Sequence, residues 1–118
     1  MEVPVIGFIP PVVGIEKEFN TFRLGVAFCK RIKPGDEVFL MDEKRRTVIG
    51  RAEVTKMDNG GLGEMCLVHA ANNHTEVDNP EGADGAHERL FAYIQKIYGP
   101  HIATPQKKAT VIYMRRIE

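Results

Sequence analysis

The sequence predicts a small α+β protein, a mixed β-barrel of five or six strands with two or three helices. Three observations carry that reading. From Thr47 to Thr55, Val48, Gly50, Ala52 and Val54 alternate with Thr47, Ile49, Arg51, Glu53 and Thr55, the period-two pattern of a strand with one buried face. In "GAHERLFAYIQKIY", Ala86, Leu90, Ile94, Ile97 and Tyr98 recur at helical spacing and form an apolar stripe. Elsewhere Pro and Gly cut the chain into short apolar runs, as in a small barrel.

Taken in order, "PVIGFI" ends at Pro10-Pro11 and reads as a buried first strand. "VVGIEKEFNTFRL" leads through a loop into a second strand near Thr21 to Leu24, and "GVAFCKRI" reads as a helical turn. "KPGDE" turns at Pro34 and Gly35 into the strand "EVFLMD". The strand over Thr47 to Thr55 follows, with Gly50 marking a bend or bulge and "DNGG" ending it. Its alternation predicts Val48, Ala52 and Val54 buried and Arg51 and Glu53 exposed.

"LGEMCLVHAANNH" reads as a short helix with Leu62, Met65, Cys66 and His69 on one face, and "TEVDNPEGAD" as a polar loop. Asp84 is placed to cap the long helix, which Gly99-Pro100 stops. "KKATVIYMRRI" is a final strand. A chain of 118 residues without repeats fits one domain over 1–118.

Composition excludes several classes. The hydrophobic share of 43% and charged share of 27% are those of an ordinary globular protein. No apolar run approaches the roughly 20 residues of a membrane helix, and the N-terminal stretch lacks the basic start of an export signal. The expectation is a cytoplasmic protein with no membrane partner. Cys29 and Cys66 have no CxxC spacing, so small buried thiols are expected rather than a disulfide or a catalytic cysteine.

There is no phosphate loop, since Gly60, Gly61 and Gly63 lack a following Gly-Lys-Ser/Thr, and no GxSxG or HExxH. His69 and His74 are spaced i, i+5, which does not converge on a metal, so neither a metal nor a cofactor is expected.

Charge is uneven beneath a net of zero. Ten of the sixteen Lys and Arg lie in residues 1–57, and none lies between Met57 and Glu88, where seven acids fall. A broad nucleic-acid coat is disfavoured by that balance. A basic rim at Lys30, Arg31 and Lys33 and an acidic face over 58–88 both remain open as interaction surfaces.

Within "NTFRLG", Arg23 sits between Phe22 and Leu24 in a half-buried strand. A desolvated guanidinium must be paired or meet an anion. Three roles stay open for it: a structural brace, a contact to a phosphate or carboxylate, or a stabiliser of developing negative charge.

"NTFRLG", then "KRIKPGDEVFLMD", "VIGRAEVT", "LVHAANNH" and "FAYIQKIYGP", in that order, resemble the ASCH domain family, a branch of the PUA-like barrels. The resemblance spans nearly the whole chain and implies a PUA-like barrel with a cleft beside the Thr21–Arg23 strand. It also implies a link to RNA or to a nucleotide-like small molecule. Some relatives look like nucleoside enzymes, among them a bacterial acetylcytidine amidohydrolase that uses a Lys, a Thr and a Glu. Thr21 matches that Thr, but Glu18 stands where the Lys falls, with Lys17 beside it, and Asn73 stands where the Glu falls.

The expectation is therefore a binder of RNA or a nucleotide-like ligand. Thr21, Arg23 and Asn73 would line its cleft, Lys30, Arg31 and Lys33 its rim, and Asn73 would read a base edge. A hydrolase with Lys17, Glu18 or Thr21 in the active role is the second reading, and a protein-interaction module using the acidic 58–88 face the third.

Overall fold

The computed structural model describes residues 3–10 and 12–118, so Pro11 of the predicted first turn lies outside the described residues. Five strands are β1 (Val5–Phe8), β2 (Glu18–Leu24), β3 (Glu37–Asp42), β4 (Thr47–Gly61) and β5 (Lys108–Arg116). The helices α1 (Leu62–His69) and α2 (Ala86–Tyr98) lie between β4 and β5, and Ala27–Lys30 forms the predicted turn as a 3₁₀ helix. All five strands join one sheet in the order β1-β3-β4-β5-β2. β1 pairs parallel with β3 and every other pair is antiparallel. The sheet curls into a half-barrel whose two edges are β1 and β2.

Two apolar layers result from the alternation of strand side chains. Ile6, Phe8, Phe19, Val38, Leu40, Ala52, Val54, Ile112 and Met114 fill the inner side of the curl. On the outer side Leu62 and Cys66 of α1, Ala86, Leu90 and Ile94 of α2 and Ala109 of β5 pack together, with Phe22 and Leu24 against them. β2 thus divides its residues: Phe22 and Leu24 go to the helices, while Phe19, Thr21 and Arg23 share the other face.

Ala52 and Val54 are buried as expected, but Val48 is 56% exposed. The cause is a bulge: Leu40 pairs with Gly50 and Met41 with Val48, so Ile49 is the extra residue and the faces invert there. Ile49 packs on the inner cluster in place of Val48. The Arg116 guanidinium lies against Gly50; a Cβ there would come within 2.3 Å of Nη2, and the guanidinium would have to shift. Arg116 donates from that position to the Ile49 and Ile15 carbonyls at 2.7 and 3.0 Å. Arg51 and Glu53 turn outward and pair with Glu37, Glu118 and Arg115.

Three further expectations change. "DNGG" does not end β4, which runs to Gly61 because β5 keeps pairing it as far as Lys108. Asp84 does not cap α2; Gly85 takes the N-cap in the left-handed region, with φ 76°, and no side chain bonds there. Cys29 is exposed, whereas Cys66 is buried and its thiol is pushed up to about 11 by desolvation. Gly99 stops α2 as expected, donating to the Gln95 carbonyl. Among the described residues, no helix is long and apolar enough to cross a membrane.

Leu40 is fully buried at the centre of the inner layer. Leu40→Ala is expected to lower unfolding free energy in urea by about 2–5 kcal/mol. Truncating Leu67, which is 67% exposed, should change it by no more than about 0.5 kcal/mol. Equal effects would mean that the inner layer is not the core.

Candidate functional site

The two edge strands of the half-barrel do not pair, and the seam between them holds the site. Along the inner face of β2 the pairing to β5 runs Phe19–Met114, Thr21–Ile112, Arg23–Thr110, so polarity rises toward one end of the curl. Arg23 lies at that end and crosses the seam, donating from Nη2 to the Gly7 carbonyl of β1 at 2.6 Å. Thr21 Oγ1 lies 3.4 Å from the same nitrogen. The guanidinium rests near the rings of Phe8 and Phe28, 5.4 and 5.9 Å from their centroids.

No carboxylate forms an ion pair with Arg23 among the described residues. Its Nε is there the one buried side-chain nitrogen or oxygen without a hydrogen-bond partner. Burial lowers the guanidinium pKa, and Tyr98 and Glu43 act through space against that shift. Glu43 folds over Gly7, where a Cβ would come within 1.9 Å of its Oε1.

Asn73 and His74 fill part of the seam. Asn73 forms a lone parallel bridge to Asn20, and the His74 amide donates to the Asn20 carbonyl at 3.0 Å. The Asn73 side chain is committed: its Oδ1 accepts from the Thr75 amide and hydroxyl at 3.0 and 2.7 Å, and its Nδ2 points at Asn20. It holds the turn, so its amide has little left with which to read a base edge.

His74 stands edge-on to Phe8, ring centroids 5.0 Å apart. Its Nδ1 lies 3.3 Å from the Val13 carbonyl. A carbonyl only accepts, so Nδ1 carries the proton and Nε2 is bare in the neutral ring. Desolvation pushes the imidazole down to about 4; the Val13 bond opposes that shift and the Arg23 charge adds to it.

Thr21, Arg23, Asn73 and His74 border one cleft, whose far wall is the C-terminal half of α2: Leu90, Tyr93, Ile94, Ile97 and Tyr98. Its cavity volume is about 70 Å³, where a single water needs roughly 10–15 Å³. A group of phosphate or carboxylate size fits that space, and anything larger must extend outside it.

The other expected site residues are elsewhere. Lys17 and Glu18 line a separate depression with Gly14, Glu16, Val77 and Asp78. Lys30, Arg31 and Lys33 are exposed on and after the 3₁₀ turn. Lys33 pairs with Asp36, while Arg31 sits over Phe28, the ring that Arg23 also approaches. His74, Tyr93 and Tyr98 are site residues that sequence reasoning did not nominate. "FAYIQKIY" marks Tyr98 only as part of an apolar stripe, and nothing local ties His74 to β2.

A second polar cluster lies outside the cleft. His69 is buried, with Nε2 2.7 Å from Asp58 Oδ2 and Nδ1 2.7 Å from Tyr113 Oη. The His69 bond holds the Asp58 carboxyl below its ordinary value. Asn20 also donates to the His69 carbonyl at 2.9 Å. These bonds fasten the end of α1 to β4, β5 and β2, which accounts for the buried histidine structurally. Among the described residues no group of His, Cys, Asp and Glu could hold a metal ion.

One acid of the 58–88 stretch is buried and paired. Buried Glu76 takes Arg89 at 2.6 Å, and Arg89 also reaches the Gly82 and Asp84 carbonyls, pinning the polar loop to α2.

His74 gives a pH signature. Between its ordinary 6.5 and the folded value of about 4, the unfolded chain binds a proton that the folded chain refuses. Stability should therefore fall as pH drops through that window. Denaturant unfolding of His74→Gln should show a flatter profile there; an unchanged profile would mean that His74 is solvated.

No family model matches the sequence, and no curated protein matches it. Solved structures do match in shape. The hypothetical protein PH0355 superposes with a TM-score of 0.67 at 15% identity, over 98% of this chain and 100% of that one. A mutant of ZmASCH from Zymomonas mobilis gives 0.59 at 14% identity, over 97% of this chain and 71% of that one. EF3133 from Enterococcus faecalis, of family DUF984, gives 0.57 at 12% identity over 90% of this chain, which spans only 64% of that protein. Identities this low carry architecture alone, and the architecture is clear: the chain has an ASCH-like α+β fold.

Proposed function

We propose that this chain binds RNA or a nucleotide-like ligand by placing a phosphate in the seam cleft against Arg23 and Thr21. The observation that carries this reading is the state of Arg23: desolvated, turned into a cleft, without a carboxylate, and with Nε unsatisfied. An ion-paired brace would have consumed the fork of donors that a phosphate needs. Tyr93 and Tyr98 at the mouth offer aromatic faces for a base outside the enclosed part. Arg31, next to the shared Phe28 ring, is the member of the basic rim best placed to meet a following phosphate; Lys33 is held by Asp36.

Hydrolysis is supported less. Lys17 and Glu18 open onto a different depression, and Asn73 cannot take a proton. No release of cytidine from acetylcytidine is expected.

The test is anisotropy of a fluorescent single-stranded RNA hexamer, titrated at about 50 and 200 mM salt. Arg23→Gln should weaken binding at least about tenfold, the scale of a lost charged hydrogen bond. Arg23→Lys should recover only part, because a point charge lacks the fork. Charge reversal at Lys30, Arg31 and Lys33 should flatten the salt dependence, with Arg31 contributing most. Wild-type affinity in a folded Arg23→Gln protein would move the ligand away from the seam.

A further inference from the structure

We propose that the seam cleft takes a terminal phosphate monoester, the phosphorylated end of an RNA chain or of a nucleoside monophosphate, and that His74 gains a proton as that group binds. The inference rests on the function proposed above and narrows its ligand.

Size points to an end group. The cleft's volume of about 70 Å³ holds a phosphate beside Arg23, and the sugars flanking an internal phosphodiester would both have to lie outside it. Arg23 and Thr21 lie on one side and the α2 wall of Tyr93, Ile94, Ile97 and Tyr98 on the other. An end group meets that geometry with a single sugar outside the cleft, where an internal phosphodiester must place two.

Charge points the same way. A diester carries one negative charge, which Arg23 alone matches. A monoester carries nearly two at neutral pH, its second pKa being about 6. The groups around His74 offer no second cation. β2 presents Arg23, and α2 presents only the Tyr93 and Tyr98 hydroxyls. The Phe8 ring and the Gly7 carbonyl come from β1, the Val13 carbonyl from the loop before β2, and the nearby Glu43 has the wrong sign. His74 itself is the remaining source.

The tautomer makes proton uptake necessary. With Nδ1 turned to Val13, Nε2 is the nitrogen left to a ligand, and it is a bare acceptor. The oxygens of the dianion are acceptors too, so contact between them requires a proton on Nε2, taken from solvent. Without ligand, burial and the Arg23 charge keep that proton off. A dianion between the two side chains reverses the sign of the local field and favours imidazolium. Arg23 supplies the permanent charge and His74 the conditional one, so binding selects for the doubly charged end group.

The experiment uses the full chain and four probes: an RNA hexamer with a 3′-phosphate, one with a 5′-phosphate, one with hydroxyl ends, and adenosine 5′-monophosphate. The His74 ring is followed by NMR across pH with and without each probe. Calorimetry in two buffers of different ionisation enthalpy counts protons. At least one phosphorylated hexamer should bind about tenfold or more tighter than the hydroxyl-ended one and raise the His74 pKa from about 4 to above neutrality. His74→Gln should still bind in an Arg23-dependent way while losing most of that preference.

If the mononucleotide does as well as the phosphorylated hexamers, free nucleotides are the source; if the hexamers win, RNA ends are. Either result supports the inference. Arg23-dependent binding with equal hexamer affinities, or with His74 unmoved, overturns the inference and leaves the binding function standing. Absence of Arg23-dependent binding to every probe overturns both.

Discussion

The structure turns on a single bond across an unpaired seam. A five-stranded sheet curled this far leaves β1 and β2 facing each other without a ladder, and unpaired edges are both costly and adhesive. The 2.6 Å contact from Arg23 to the Gly7 carbonyl joins them at one level, and the Asn73–His74 segment covers the β2 edge at another. Gly14 lets the loop before β2 close over that segment: it has φ 70°, and a Cβ there would lie 1.9 Å from the His74 carbonyl oxygen. The cleft is what remains between these closures. Its polar lining follows from the need to satisfy an open edge, and the side chains that close the seam are also the ones left facing a ligand.

A buried arginine without a carboxylate is an expensive element to keep for stability alone, since apolar residues of similar volume often serve as well. Here the guanidinium is held by one carbonyl, a weak hydroxyl contact and two aromatic rings. That is enough to fix its position and too little to neutralise it. Glu43 lies close enough to temper the charge without quenching it. Geometry and electrostatics agree on a preorganised, half-satisfied cation beside a neutral imidazole.

Much of the scaffold was legible in the sequence because strand and helix periodicities are local. The α2 stripe, its Gly99 stop, the 3₁₀ turn and the inward Ala52 and Val54 all follow from spacing within one element. Val48 did not: Gly50 signals a bulge, but the local pattern does not say that Ile49 is the extra residue and that the faces invert there. The site divides in the same way. Thr21 and Arg23 are two apart on one strand and were placed together from sequence. Asn73 was placed with them by resemblance, and it does border the cleft, but its amide is spent on Asn20 and Thr75, which spacing does not reveal. His74 was passed over because its meaning comes from Val13 and Phe8, neither of them near in sequence, and Lys17 and Glu18 were drawn in by the resemblance, which places a Lys at the position of Glu18.

The strand order carries a consequence for how the molecule assembles. β3 and β4 are joined by four residues and β5 pads the far side of β4, so the centre of the sheet needs few long closures beyond the return through α1 and α2. β1 and β2 attach at opposite edges, and β1 must wait for β3, more than twenty-five residues later, before it has a parallel partner. Pairings of long sequence separation cost loop-closure entropy before their contacts offset it, and they are slow to form. The two edges that flank the seam are therefore expected to dock after β3 and β4 have paired. Arg23, reaching from β2 to the Gly7 carbonyl of β1, then acts as a latch between two ends of the fold that the backbone leaves unjoined.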